Sequence, residues 1–305
     1  MRADHLGIYN RLKKGKTLEG LGLGKLAGRW LVESLSVPQP EPKGLFQFKG
    51  LTFQQNANVQ ILKKVRWENM HFSYCDFSDL GFFGLEMTNC HFTNCRCQEI
   101  GFWDANISDC EFVACDMTDA AFGGVDMNRP RPNRYSNVIF QGCDFRGSAH
   151  SCEAYDSCSF INCRLEHIDF EGAVFSDCIF EGKLQDVMFK ARSAACGPIR
   201  TNRLSGCDFR RTELVACAFV NIDLNPDLLP NSEDLIVLWN GPADWAKWGE
   251  QISAAQHEGR SLFLKHVTKD SGAPTVTNRS LLLSAFSTEE VEMLVKIGRG
   301  QGRPQ

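Results

Sequence analysis

The stretch that decides the fold is residues 65–127, VRWENMHFSYCDFSDLGFFGLEMTNCHFTNCRCQEIGFWDANISDCEFVACDMTDAAFGGVDM. In steps of five from Trp67, the same slot is apolar thirteen times in succession: Trp67, Phe72, Phe77, Phe82, Met87, Phe92, Cys97, Phe102, Ile107, Phe112, Met117, Phe122 and Met127. The slot two residues earlier is apolar or cysteine in every repeat, from Val65 to Val125. Asp, Asn, Ser, Thr, Glu and Gly fill most of the remaining positions.

A five-residue period excludes both regular elements. Five residues turn an α-helix by about 140°, which would spread the apolar side chains around the whole helix. In a flat strand an odd period would exchange the two faces at every repeat. The pattern instead fits a chain that bends once every five residues, with the two apolar slots pointing inward. Such units cannot bury their apolar side alone, so the period predicts a stacked solenoid.

Four repeats indicate a family. Their sequences begin at Cys75 (CDFSD), Cys110 (CEFVA), Cys143 (CDFRG) and Cys207 (CDFRR). This pattern of a small residue, an acidic residue or Asn, Leu or Phe, and two variable residues resembles the pentapeptide-repeat family over roughly residues 45–229. The resemblance implies an all-β solenoid, a right-handed quadrilateral parallel β-helix with four repeats per coil. With 27 to 29 slots we expect about seven coils and a rod about 34 Å long at ~4.8 Å per coil.

We divide the chain into three parts by composition. Residues 1–44 are predicted to be a basic, Gly-rich N-terminal arm, with short helices expected at Tyr9–Lys16 and Leu26–Leu35. The β-helix is placed at 45–230, with its first two repeats around Phe48 and Leu51. Breaks in the five-residue phase predict loops near 54–64, 128–137 and 190–203.

Residues 231–305 lack the five-residue period and are predicted to form a small, mostly α domain. Ala243–Glu258 has helical spacing, with its apolar side chains on one face. Ser287 and Glu290 form a capping box that opens a second amphipathic helix at Thr288–Ile297. Asp234–Trp239 and Ser261–Val267 are expected to be strands or short helices.

The fourteen cysteines follow the repeats rather than a disulfide pattern. Twelve of them lie in inward slots, and only Cys152 and Cys196 lie elsewhere. Neighbouring side chains in a stacked ladder point in parallel, which is poor disulfide geometry. We therefore expect small, buried, apolar thiols and a reducing cytoplasm. No apolar leader follows Met1, and no run approaches ~18 apolar residues.

The sequence predicts a protein without catalysis, cofactor or metal. His71 and His91 lie twenty residues apart and are expected to stack as an exposed pair that lacks a third metal ligand. No nucleophile motif of the GxSxG type is present. A convex rod is also expected to offer no cleft that would shift the pKa values of its carboxylates. An enzymatic or toxin–immunity role could only lie in the tail.

Charge is distributed unevenly along the chain. Residues 65–127 and 138–189 together hold twenty acidic and five basic side chains, whereas 1–64 holds eleven basic and four acidic ones. This asymmetry predicts a protein partner. The resemblance implies a DNA mimic that binds a type II topoisomerase, DNA gyrase or topoisomerase IV, and protects it from or modulates inhibitors. The alternative is a structural or adaptor scaffold that presents its loops and C-terminal domain to a protein partner.

Two groups of residues are the predicted partner-binding sites. The first lies on or beside the basic loops and consists of Arg129, Arg131, Arg134, Tyr135, Arg192 and Arg200. The second is an acidic rod face formed by Asp76, Asp104, Asp109, Asp116 and Asp144. A homodimer through the C-terminal domain is a further hypothesis, based on the apolar residues Trp245, Trp248, Val291 and Leu294.

Overall fold

The central part of the protein is a rod of stacked coils. A computed structural model describes residues 5–35, 47–48, 51–52, 60–123, 132–191, 202–222, 224–252 and 274–300. Between Gln60 and Val220 the described residues wind into a right-handed parallel β-helix with four faces, as the resemblance implied. We number these faces 1 to 4 in the order in which the chain passes from Met70 onward.

Each face is a column of short strands. Face 1 consists of Arg29–Glu33, Met70–Ser73, His91–Thr93, Glu111–Val113, Ile139–Gln141, Ser159–Ile161, Ile179–Gln185 and Asp208–Val215. Face 2 is held by the single bridge residues Asp76, Arg96, Asp116, Asp144 and Arg164 and by the strand Leu165–Glu166. Face 3 consists of Gln60–Lys63, Leu80–Phe83, Gly101–Trp103, His150–Ser151, Asp169–Glu171, Met188–Lys190 and Ala218–Val220. Face 4 consists of Arg66–Glu68, Glu86–Thr88, Asn106–Ser108, Arg134–Ser136, Ala154–Asp156 and Val174–Ser176.

The register of the strands confirms the five-residue period predicted from the sequence. Phe72, Phe92 and Phe112 pair directly in successive coils, which places equivalent residues twenty apart. Phe112 then pairs with Phe140, so residues 113–139 include eight more than a regular coil would need. The stack therefore accommodates an insertion without losing its inward columns.

The corners explain why acidic and amide residues recur at fixed positions. At most described corners the residue two after the inward centre has a positive φ, for example 55° at Asn69, 58° at Asp79 and 52° at Asp109. Asn and Asp tolerate this left-handed conformation better than most residues other than glycine. The backbone thus favours Asn and Asp at the corners, although Tyr74 and Ala114 also adopt this conformation.

Stacked aromatic rings fill the axis of the rod. On face 1 the ring centroids of Phe92 lie 4.9 Å from Phe72 and 4.6 Å from Phe112. The same column continues with a spacing of 5.1 Å between Phe160 and Phe180. Such contacts add about 0.5–1.5 kcal/mol per pair to the free energy of burial.

The twelve inward cysteines are all free and buried, which confirms the expected thiol ladder. Nine of the S–H groups face backbone carbonyls of the preceding coil, as Cys163 Sγ does at 3.2 Å from the Phe140 oxygen. Hydrogen bonding to Cys115, together with burial, raises the pKa of Cys95 to about 12. Cys152, outside the ladder, is disulfide-bonded.

Residues 5–35 do not form a free arm, so that prediction was wrong. Helix α1 (His5–Lys13) buries apolar side chains in the rod's core, and Arg29–Glu33 pairs in parallel with Met70–Ser73. The helix expected at Leu26–Leu35 is instead a hairpin, in which Lys25–Leu26 pairs with the start of Arg29–Glu33. This segment covers the first coil, because an open edge would otherwise expose unpaired backbone groups.

Two other expectations about the start of the rod were wrong. Gln47–Phe48 and Leu51–Thr52 pair antiparallel with each other and are not coils of the β-helix. Part of the loop expected near 54–64 is instead a strand of face 3, Gln60–Lys63. Residues 53–59 lie outside the described part of the chain.

A small unit closes the other end of the rod. The 3₁₀ turn Pro226–Leu228 leads to strand Leu235–Leu238, which pairs antiparallel with Thr275–Asn278. The second strand also pairs with Ala218–Val220 of face 3 and so extends that sheet beyond the last coil. Helices α2 (Pro242–Gln251), α3 (Arg279–Leu283) and α4 (Thr288–Gly300) pack around these strands.

The capping box predicted before α4 is present. The Glu290 carboxylate accepts the Ser287 backbone N–H at 2.7 Å, and the Glu290 N–H donates to the Ser287 hydroxyl. The residues proposed for a homodimer, however, form the core of this unit: Trp245, Trp248, Val291 and Leu294. These four side chains are therefore unavailable for a dimer interface, because their apolar surface is already buried within the chain. A homodimer through other residues of the C-terminal unit stays a prediction. Ser261–Val267 lies outside the described residues.

The aromatic stack leads to a stability prediction. Replacing Phe92 by Ala should lower the free energy of unfolding by about 3–5 kcal/mol, because it removes a buried ring between two others. Urea unfolding followed by circular dichroism measures the change. Tyr74→Ala is the matched control, since that side chain is 67% exposed and its loss should cost about 0.5 kcal/mol or less. Equal losses in the two variants would contradict the account of the core.

Candidate partner-binding surfaces

The five aspartates predicted to form one acidic face do not share a face. Asp76, Asp116 and Asp144 lie in one column of face 2, but Arg96 and Arg164 occupy the same column. Arg96 lies 3.7 Å from the Asp76 carboxylate, and Arg164 lies 4.0 Å from that of Asp144.

The other two aspartates lie at corners. Asp104 lies at the corner after face 3 and Asp109 at the corner after face 4, each with a positive φ. The Asp109 carboxylate accepts a hydrogen bond from Asn137 at 2.7 Å. The predicted acidic face is therefore dispersed over three sides of the rod.

A denser acidic surface lies at the corner between faces 2 and 3. Asp79, Glu99 and Asp119 occupy equivalent corner positions of three successive coils. With Asp76 and Asp116 on the adjoining face they form a group that we call the acidic ridge. Partial burial, followed by the charges of Glu99 and Asp76, raises the pKa of Asp79, which shows that these carboxylates affect one another. The twenty-residue spacing of Asp79, Glu99 and Asp119 was visible in the sequence and would have identified them.

The basic-loop residues are only partly described. Arg129, Arg131, Arg192 and Arg200 lie outside the described residues. Arg134 is exposed at the start of a face 4 strand. Tyr135 was wrongly assigned to a partner-binding loop, because only 1% of it is exposed. Its ring stacks on Tyr155 at 4.8 Å, and its hydroxyl donates to the Phe122 carbonyl at 2.9 Å.

Just after the insertion, the side chain of Asn133 makes buried polar contacts that the sequence did not predict. The Asn133 side chain accepts the Ala105 N–H at 2.8 Å. Its amide group also donates to the carbonyls of Phe102 and Phe122. Phe102 and Ala105 belong to the preceding coil and Phe122 to the same coil as Asn133, so one side chain satisfies backbone groups of both coils where the insertion interrupts the ladder.

A cluster of buried polar side chains lies beside this point. His150 occupies an inward centre of face 3, stacked 4.9 Å from the ring of Phe122. Its ring nitrogens lie 3.0 Å from the Ser148 hydroxyl and 3.1 Å from that of Tyr155. Glu153 is fully buried and accepts the Ser151 N–H at 2.7 Å.

Burial shifts both titratable groups of this cluster. It raises the pKa of Glu153 to about 8 and lowers the pKa of His150 to about 3. No cleft was expected to shift the pKa values of the rod's carboxylates, and the raised pKa of Glu153 arises instead from burial in the core. Glu153 lies in the interior and not in a cleft, and its Oε2 atom has no hydrogen-bond partner among the described residues.

The Ser148–His150 contact does not amount to a catalytic pair. A general base needs a pKa near the working pH, and His150 lies far below it. Ser148 is also buried, so a substrate could not reach its hydroxyl. We interpret the cluster as a polar network that shapes the core at the insertion.

His71 and His91 stack as expected, with ring centroids 4.5 Å apart, but they are not an exposed pair. His71 is buried and His91 is half-buried, with its Nε2 atom 3.5 Å from the Glu111 carboxylate. No group of three or more potential ligands in the described ranges is arranged to hold a metal ion. Nor is any described helix long and apolar enough to cross a membrane.

Comparisons with known proteins agree with this architecture. A model of pentapeptide repeats matches residues 156–182. No curated protein matches the sequence. The matched repeats share the five-residue register of the other coils, so the rod has the pentapeptide-repeat fold.

Solved structures with similarity to the chain include two other proteins. One is a trypsin-treated form of QnrB1, a plasmid-mediated fluoroquinolone resistance protein, at 18% identity, covering 55% of this chain and 80% of that one, with a TM-score of 0.34. The other is HetL, a pentapeptide-repeat protein involved in heterocyst differentiation regulation in the cyanobacterium Nostoc. It is 10% identical, covers 54% of this chain and 91% of that one, and has a TM-score of 0.20.

The buried Glu153 gives a pH prediction. Its pKa is about 8 in the folded protein against an ordinary 4.5, so folding takes up a proton between these values. Wild-type stability should therefore fall as the pH rises from about 4.5 to 8, and Glu153→Gln should remove this loss. The stability gained by the variant should be small near pH 5 and largest near pH 8.

Thermal unfolding across this pH range measures the effect. Exposed Glu213→Gln is the control and should leave the pH profile unchanged. The lowered pKa of His150 acts in the opposite direction, decreasing stability below its ordinary 6.5, and does so in all three proteins. A constant difference between Glu153→Gln and wild type at every pH would contradict a titrating Glu153.

Proposed function

We propose that the rod is a non-enzymatic protein-binding solenoid and that the acidic ridge docks on a basic surface of its partner. The observation that supports this is the row of carboxylates at Asp79, Glu99 and Asp119, repeated once per coil. Stacked strands are about 4.8 Å apart, so the row presents negative charge at a regular rise along a straight edge. A surface built to bind DNA phosphates by charge would attract such a row.

The finer form of the proposal is that the partner is a type II topoisomerase, with DNA gyrase as the first candidate. The choice of enzyme comes from the topoisomerase-protecting members of the family that the sequence resembles. The acidic ridge supports this choice of partner because its net charge is negative. Arg96 is the basic residue in the column that holds Asp76 and Asp116. On this proposal the protein competes with DNA for part of the enzyme's surface.

The adaptor alternative has an observation in its favour. Arg96, Arg146 and Arg164 form ion pairs with the carboxylates of face 2, so much of that face is neutralised. Face 4 carries charges of both signs, among them Glu86, Arg134 and Asp156, and side-chain hydrogen bonds such as the one between Thr88 and Ser108 link its coils. A scaffold that presents flat polar faces would need no continuous acidic stripe.

A supercoiling assay separates the two proposals. We expect the wild-type protein to inhibit DNA gyrase or to relieve its inhibition by a quinolone. The ridge variant Asp79→Asn/Glu99→Gln/Asp119→Asn should require about tenfold more protein for the same effect, because electrostatic steering and docking are lost.

The control carries the same change in charge on another side of the rod. Asp109→Asn/Asp156→Asn/Asp177→Asn alters three exposed carboxylates on or beside face 4 and should behave like wild type. No effect of the wild-type protein on gyrase would remove the topoisomerase proposal. Capture of the same proteins from a lysate by wild type and the ridge variant would remove the ridge as the interface.

A further inference from the structure

The N-terminal end of the rod has a charge opposite to that of the ridge. Residues 5–35 and 60–68 hold nine Lys and Arg against three Glu. Several of these cations come from different parts of the chain and are brought together by the packing of α1 on the first coil. The indole N–H of Trp67 donates to the Leu12 carbonyl at 3.0 Å, which fixes the last turn of the helix.

The turn after α1 lies directly on the rod. A Cβ atom added at Gly15 would be 3.0 Å from the backbone nitrogen of Arg66, so the two backbones are in close contact there. Lys14 and Lys16 flank this contact, and Lys64 lies two residues before Arg66 at the corner after face 3. All four side chains are exposed, and we call them the basic corner: Lys14, Lys16, Lys64 and Arg66.

The basic corner borders a formed depression. The guanidinium group of Arg11 donates to the carbonyls of Thr17 and Glu19, which closes the turn on itself. The resulting open depression has a volume of about 450 Å³ and is lined by Asn10, Arg11, Lys14, Lys16 and Thr17. Ammonium, amide and hydroxyl groups are thus presented together, and none of the described residues that line the depression is a carboxylate.

We propose that the basic corner and this depression bind the phosphate backbone of a nucleic acid. Lysine ammonium groups with amide and hydroxyl donors are the groups that contact phosphate oxygens without reading sequence. The site lies on a corner and an end of the rod, where a long polyanion can approach without entering a cleft. It does not depend on the proposed partner of the acidic ridge, since it uses other residues.

Two other anionic partners fit the surface less well. A membrane surface would favour large apolar side chains next to the cations. Among the described residues up to Arg66, Leu26 is the exposed large hydrophobic residue, and it lies on the hairpin Lys25–Glu33 and not at the basic corner. An acidic protein segment carries carboxylates at irregular intervals, whereas duplex DNA carries about one negative charge per 1.7 Å of its axis, which favours the duplex at a surface with several cations.

The test is the anisotropy of a fluorescent duplex of ~30 base pairs, titrated with the full-length protein between about 50 and 200 mM KCl. The variant is Lys14→Ala/Lys16→Ala/Lys64→Ala. The matched control, Lys183→Ala/Lys247→Ala/Lys296→Ala, removes the same charge from exposed positions elsewhere. Thermal unfolding establishes that both variants are folded.

We expect wild type and control to bind the duplex with an affinity that falls steeply with salt. The corner variant should bind at least tenfold more weakly at about 50 mM KCl, and its slope of log K against log salt should be smaller by about 2 to 3. Absence of binding by wild type at this salt, or equal losses in variant and control, would overturn the proposal. Binding of phosphatidylserine vesicles or polyglutamate in place of the duplex would also overturn it.

Discussion

The contact between the inward side chains of one coil and those of the next determines the position of every other group on the rod. Phe92 can stack on both Phe72 and Phe112 only if the three coils repeat at the same interval. That repeat aligns the residues on either side of each centre into columns on the outer surface. Residues that are twenty apart in the sequence, such as Asp79, Glu99 and Asp119, are consequently neighbours on the surface. The surface pattern of charge is thus a result of packing in the core.

The same dependence explains the two ends of the molecule. A coil is buried only between two others, so the first and the last coil each need a substitute neighbour. At the N-terminal end the substitute is a parallel strand, Arg29–Glu33, with α1 beside it. At the C-terminal end it is an antiparallel strand, Thr275–Asn278, which belongs to a unit with its own core of tryptophans. Each cap needs only to cover the backbone edge and the apolar surface of a terminal coil. Different structures can meet this requirement, so the two caps are built differently.

What the sequence could and could not predict follows from this arrangement. The inward columns and the thiol ladder were predictable, because they obey a local rule that repeats every five residues. The role of residues 5–35 was not, because Val32 stacks on the rod from a segment that contains no repeat. The acidic ridge was predictable in part. The twenty-residue spacing of its carboxylates is present in the sequence, but the predicted acidic face combined aspartates from different columns of the rod. Tyr135 was misassigned because the length of the preceding insertion hid its return to the five-residue phase.

The insertion between faces 3 and 4 of one coil shows how the rod accommodates a departure from its period. At Gly123, the last described residue before the insertion, backbone and side chains crowd together: a Cβ atom added there would lie 2.1 Å from the Ser151 carbonyl. Glycine is therefore required at the exit, and Asn133 satisfies the backbone groups at the return. His150 and Glu153 are buried against the same point, so titrating or polar groups replace part of the apolar stack. A break in the backbone ladder thus demands polar partners in the core, which explains why the imidazole of His150 and the carboxyl group of Glu153 are buried beside the insertion.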